Sequence, residues 1–235
     1  MSKRNDGEHK NRYQGVHWAQ EVLVGCNVVR SPLYGRRAGT RVIDEAHENV
    51  LILRQQITLL QDLDDATYRC DVAAMMMSSV GAHVRHNLDH YQRFFVGLDT
   101  GVVDYDARQR EKVLEIDRLA ALTATRSICG RLAELTQVQG AANLRVCCNR
   151  DQGTQQATSS VIRELDFLRS HTVHHYAIIA VLCRIQNVAV AQNFGVAPST
   201  LRYRAELATT EIRATPETMS TDVLDETPAS RSRRR

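Results

Sequence analysis

Four stretches of this chain carry apolar residues at the spacing of an α-helix, and that periodicity limits its fold more than any other feature. Val42, Ile43, Ala46, Val50, Leu53, Ile57, Leu60 and Leu63 recur with Glu, Arg and Gln between them, as on one face of an amphipathic helix. A second stripe, Val80, Val84, Leu88, Tyr91 and Phe95, follows Ser78-Ser79, residues suited to cap a helix, and is closed by Gly97 and Gly101. A third, Val113, Ile116, Leu119, Leu122, Ile128, Leu132 and Leu135, predicts the buried face of a helix from Ala107 to Val138 with a kink near Gly130. Ser159-Ser160 introduce the fourth, Ile162, Leu165, Leu168, Val173, Ile178, Ile179 and Leu182, on a helix from Val161 to Ile185. Before it, Leu144 to Cys148 and Gln155 to Thr158 flank the turn-like Asn149 to Gly153 and predict a short β-hairpin. The expected fold is all-α, a four-helix bundle over residues 41–187 with that hairpin inserted before its last helix.

The flanks read differently. Residues 1–40 are polar and irregular apart from a short apolar piece around Trp18 to Val29; residues 188–235 read as a turn followed by a disordered tail with a basic end. Aromatic residues make up only 5% of the chain, so its core must come from Leu, Ile, Val, Ala and Met, which suits packed helices better than a β-sandwich. The net charge of +3 comes largely from the two ends, including Arg30, Arg36, Arg37, Arg41, Arg231 and Arg233 to Arg235, and argues against a nucleic-acid partner. The apolar run from Tyr176 to Cys183 is too short to cross a bilayer and the N-terminus has no apolar leader segment, so a cytoplasmic location without a membrane partner is expected. Six cysteines without framework spacing fit reduced thiols, with Cys26, Cys70, Cys129 and Cys183 in apolar surroundings and Cys147-Cys148 adjacent on a strand. Met75-Met76-Met77 reads as flexible core filling.

The chemistry lies in the histidines. Six of nine fall in two short segments, His83, His86 and His90 on the second helix and His171, His174 and His175 on the fourth. Residues four apart on a helix lie on neighbouring turns, so His171 and His175 can aim both imidazoles at one ion. His83, His86 and His90 share one stripe, and one of them could complete a three-histidine set from across the bundle. Three neutral imidazoles with one open position are the ligand set of catalytic Zn²⁺ sites and suit Ni²⁺ or Fe²⁺ equally. A histidine on an amphipathic helix is ordinarily a hydrogen-bonded boundary residue; two clusters on two helices are harder to explain that way.

At these positions the chain resembles the DinB-like (DinB/YfiT-like) superfamily of four-helix metalloproteins. The resemblance rests on Ser79-Val80-Gly81-Ala82-His83-Val84-Arg85-His86, a Ser-x-Gly-x-x-x-x-His pattern on the second helix, and on His171-Thr172-Val173-His174-His175, an HxxxH on the last. It covers Val42 to Ile185. It implies His86, His171 and His175 as the metal ligands, with His83 and His174 as alternates and His90 beside them. It implies further a hydrolase or thiol S-transferase that uses a divalent ion, a small-molecule substrate and a low-molecular-weight thiol.

Neither an ExxH pair of the di-iron type nor an HExxH protease motif is present. For a catalytic group the sequence offers Glu164, two turns before His171, Asp89 and His90, together with Asp104-Tyr105-Asp106 and Arg108 in the loop after the second helix; there Asp106 reads first as a helix cap. The other reading, from a different class, is a non-catalytic metal- or ligand-binding bundle acting as a stress-response or interaction module, in which His83, His90 or His174 closes the site as a fourth ligand. Bundles commonly pair through an exposed helix face, which leaves room for a homodimer in either case, and the sequence does not set the number of subunits.

Overall fold

A computed structural model describes residues 38–140, 142–150 and 153–214. The chain within them is predominantly helical with one small sheet. Its elements are α1 (Ala38–Asp62), α2 (Asp65–Arg69), a single 3-10 turn (Ala73–Met75), α3 (Val80–Thr100), β1 (Val102–Val103), α4 (Lys112–Ile116), α5 (Arg118–Ala133), α6 (Gln137–Gly140), β2 (Asn143–Arg150), β3 (Gly153–Ser160), α7 (Val161–Ile185) and α8 (Pro198–Ala214). The four longest helices of the core touch in a closed ring, α1 on α5, α5 on α3, α3 on α7 and α7 on α1. Inside that ring lie the fully buried Leu53 and Leu60 of α1, Leu88 and Phe94 of α3, Leu132 of α5, and Leu165, Leu168 and Ile179 of α7.

Caps set where these helices begin. The Ser79 hydroxyl accepts from the Ala82 N–H at 3.1 Å and opens α3, which ends at Gly101 in the left-handed conformation (φ 78°). The Ser160 hydroxyl accepts from the Arg163 N–H and opens α7. Gly81, in the first turn of α3, has a packing reason to lack a side chain: a Cβ there would stand 2.0 Å from the Glu115 carbonyl oxygen and 2.9 Å from the Tyr68 ring. The N-terminus of α3 therefore lies directly against the backbone of α4.

Buried polar groups tie the long helices to one another. Asn49 of α1 donates to the Leu165 carbonyl of α7 at 3.0 Å and accepts from the Tyr91 hydroxyl of α3 at 2.7 Å, while Thr172 donates to the Tyr91 oxygen at 3.3 Å. Gln56 of α1 donates to Thr125 of α5 at 2.8 Å. The hairpin forms as expected, with Asn143 opposite Ser160 and Arg150 opposite Gly153, and β1 joins it in parallel, Val102 opposite Arg145, to make a sheet in the order β1-β2-β3.

The third helix differs from its expected form. In place of one helix from Ala107 to Val138 there are α4, α5 and the single turn α6, and the break falls at Asp117 rather than near Gly130. Asp117 is extended (φ −112°) and its carboxylate accepts from the N–H groups of Leu119 and Ala120, so it ends one helix and starts the next. As a result Val113, Ile116 and Leu119, expected in the buried stripe, are 48%, 49% and 58% exposed. Asp106 does not cap a helix; the Asp104 carboxylate instead accepts from the N–H groups of Asp106 and Ala107 and folds that loop on itself.

Two smaller expectations also change. Of the three methionines only Met75 packs on the core; Met76 and Met77 are exposed, both with positive φ, and Cys70 is exposed as well. Beyond Gln186 the chain is not a plain tail. Phe194 is buried and stacks on Tyr176 with centroids 4.6 Å apart, and Gly195 (φ 72°) sits so close to α7 that a Cβ would lie 2.6 Å from the Ala177 nitrogen. Helix α8 follows where an irregular tail was expected. The expected features around Trp18 to Val29, Cys26 and the arginine-rich C-terminal end lie outside the described residues. Among the described residues no helix is long and apolar enough to cross a membrane.

Candidate metal centre

Helices α3 and α7 pack side by side, and this brings the two histidine segments together from 85 positions apart in sequence. The Nε2 atoms of His86 and His171 lie 3.0 Å from each other. His175, one turn beyond His171, has its ring 4.4 Å from that of His86 and 4.5 Å from that of His171. One ring nitrogen from each of His86, His171 and His175 falls within 4.8 Å of the other two, a group that can hold a metal ion. Tetrahedral coordination with metal–nitrogen bonds of about 2.0–2.1 Å sets ligand nitrogens roughly 3.3 Å apart, so the His86–His171 spacing already matches and His175 has only a small distance to close.

The electrostatics favour the form that a metal requires. Burial, and after it the neighbouring imidazoles, push the His86 ring down to about 2 and the His175 ring down to about 3; burial, His90, His174 and Arg108 push His171 down to about 4. The rings are therefore neutral at ordinary pH, with lone pairs available to an ion. Among the described residues no carboxylate hydrogen-bonds to any of these three rings.

His83 stands behind the trio rather than in it. Its Nδ1 lies 2.9 Å from His175 Nδ1 and its Nε2 lies 3.0 Å from the Ser78 hydroxyl. In the assignment that suits a metal ligand, His175 donates its Nδ1–H to His83, His83 donates its Nε2–H to Ser78, and His175 Nε2 keeps its lone pair for the ion. His90 is buried, with its ring 4.2 Å from that of His171. It donates Nδ1–H to the His86 carbonyl at 2.8 Å and turns Nε2 toward Arg108 Nη1 at 3.4 Å, while Tyr105 stacks on its face. His174 is exposed and meets the edge of the His175 ring.

The two carboxylates among the candidates are engaged elsewhere. Glu164, fully buried, accepts from the Tyr105 hydroxyl at 2.8 Å, from the Ser159 hydroxyl and from Arg163 Nη1 at 2.8 Å, instead of touching an imidazole. It thereby clasps the loop after α3, the end of β3 and the start of α7. The partly buried Tyr105 phenol is held well above its ordinary value by desolvation and by this carboxylate. Asp89 is likewise buried and pairs with Arg85 at 2.8 Å; Arg85 reaches on to Glu115 of α4 at 3.1 Å.

Four further side chains border the centre, and sequence reasoning gave none of them its observed place. Phe167 stacks on His171 at 5.5 Å, and its place one turn before His171 was a usable signal. Ser78 was read as half of a cap, whereas Ser79 alone caps and Ser78 is the partner of His83. Tyr105 and Arg108 stood in a loop noted for its acids, and nothing in the sequence says that the loop folds back over His90.

The chain matches no family model and no solved structure. Among curated proteins, FK506-binding protein 5 of Rhizopus delemar is 33% identical to it over 105 residues, which make up 43% of this chain and 27% of that protein. The chain thus spans about a quarter of the length of this relative.

Proposed function

We propose that this chain is a metal-dependent enzyme of the DinB-like four-helix-bundle type, in which His86, His171 and His175 hold one zinc, nickel or iron ion and a small molecule is hydrolysed or joined to a low-molecular-weight thiol. The convergence of three neutral imidazole nitrogens from two helices, within 4.8 Å of one another, carries this reading. When bound, the ion supplies a Lewis acid that lowers the pKa of a water or thiol at its free position. The protein's part is to hold the ligand set rigid, neutral and incomplete.

Rigidity comes from the α3–α7 packing and from the Ser78–His83–His175 chain of hydrogen bonds, which fixes the His175 tautomer. Incompleteness follows from His83 and His90, the nearby rings that would close a structural site. Both nitrogens of each already face protein partners, which favours an open, exchangeable fourth position over a sealed four-ligand one. Of Glu164, Asp89 and His90, His90 is the group beside the ligand rings, 4.4 Å from the His86 ring and 4.2 Å from the His171 ring.

Elemental mass spectrometry on untagged protein tests the reading, with the native chain compared with His171→Ala and His175→Ala and helicity followed by circular dichroism. About one divalent ion per chain, lost in both variants while the helices persist, supports it. Native protein that is folded and stays empty when supplied with Zn²⁺ or Ni²⁺ overturns it.

A further inference from the structure

The proposed centre has a charge balance that the protein leaves uncompensated. Its three ligands are neutral, so a divalent ion there keeps its full charge, and Arg108 adds another cation one ring away: its Nη1 lies 3.4 Å from His90 Nε2, and the His90 ring lies 4.2 Å from that of His171 and 4.4 Å from that of His86. Among the described residues no carboxylate forms an ion pair with Arg108. Of the buried acids near the site, Glu164 is committed to Tyr105, Ser159 and Arg163, and Asp89 pairs with Arg85 through Oδ2 while its Oδ1 is buried without a hydrogen-bond partner. The Arg108 Nε–H is enclosed and has no acceptor among the described residues. A buried donor without a partner costs stability unless something binds it.

We infer that Arg108 is the recognition group for a carboxylate carried by the substrate, whose other end reaches the ion. With Nη1 turned to His90, the guanidinium has its Nε–Nη2 edge left over, and that edge matches the two oxygens of one planar carboxylate. One cation suits one carboxylate; a phosphate dianion would call for a second free cation, and Arg163 and Arg85 beside the site are already paired. The substrate class is therefore a small carboxylic acid, or a thiol that bears a carboxylate. This inference rests on the metal reading above, and its test separates the two.

Cobalt(II) serves as the probe ion, because thiolate binding to it gives absorption bands that can be titrated. The full-length, cobalt-loaded chain is titrated with 3-mercaptopropionate, with 2-mercaptoethanol, and with inorganic phosphate and acetate as competitors; Arg108→Gln and Arg108→Lys follow, with helicity and cobalt uptake as controls. The wild-type chain should bind 3-mercaptopropionate about tenfold or more tighter than 2-mercaptoethanol. Arg108→Gln should reduce that preference to within about twofold while leaving cobalt uptake and 2-mercaptoethanol affinity unchanged. Arg108→Lys, which keeps the charge and loses the planar fork, should fall between, and it carries the comparison if the glutamine variant does not fold. Equal affinity for the two thiols in wild type, or a preference that survives in both variants, overturns the assignment of Arg108 alone. Phosphate competing more strongly than acetate overturns the carboxylate. A chain that takes up no cobalt overturns the metal reading and this one with it.

Discussion

At the scale of single residues, the histidines of this protein divide by what their second nitrogen touches. His175 is the ring with a protein partner lined up behind it, so its tautomer depends on His83 and, through His83, on Ser78. His83→Ala should accordingly weaken metal binding by about 10- to 100-fold without abolishing it, whereas His175→Ala should abolish it; competition against a chromophoric chelator reads both. Tyr91 sets a different kind of test. Its hydroxyl is the partner of the Asn49 side-chain oxygen, deep between α1 and α3. Tyr91→Phe keeps the ring and strands that acceptor, and should cost about 1–3 kcal/mol in urea denaturation while leaving metal content intact.

At the scale of elements, the close approach of α3 to α4 explains why a glycine stands at position 81. Gly81→Ala must push the α3 terminus off the Glu115 backbone, and since His83 and His86 lie within the next two turns, it should cost about 1–3 kcal/mol of stability and lower metal affinity as well. Thermal unfolding with and without supplied Zn²⁺ measures both effects. The same scale shows what periodicity can and cannot tell. The stripes of α1, α3 and α7 were legible because each helix is long and buries one continuous face, although Ile43 at the start of α1 is 44% exposed, and the clustered histidines were legible because they ride on two of those helices. The third stripe misled: apolar residues at helical spacing, Val113, Ile116 and Leu119, continue across Asp117, and periodicity does not register that an extended aspartate has cut the helix and turned those side chains outward. The strand β1 escaped notice because two valines beside a helix end form a strand only when a distant hairpin lies next to them. Tyr105, Arg108 and the Glu164 clasp are contacts between elements remote in sequence, which no local pattern encodes.

For the whole molecule, the burial of so many neutral imidazoles ties folding to pH. In the unfolded chain these rings take up protons near 6.5; in the folded one His86, His171 and His175 are held down to about 2, 4 and 3. The unfolded state binds more protons throughout the interval between, so stability is greatest above about 6.5 and falls as the pH is lowered from there. Urea midpoints of the metal-free protein should therefore drop between pH of about 6.5 and about 4, and the drop should be shallower when His86, His171 and His175 are replaced together by Gln. An unchanged slope in that triple variant would remove these rings as the cause.

The hairpin between β2 and β3 divides the polypeptide so that His86 lies on one side of its turn and both His171 and His175 lie on the other. A chain cut at that turn yields two pieces, each with an incomplete claim on the ion. Recovery of full metal affinity on mixing the pieces then amounts to fragment complementation, with the ion as the reporter that α3 and α7 have found each other again.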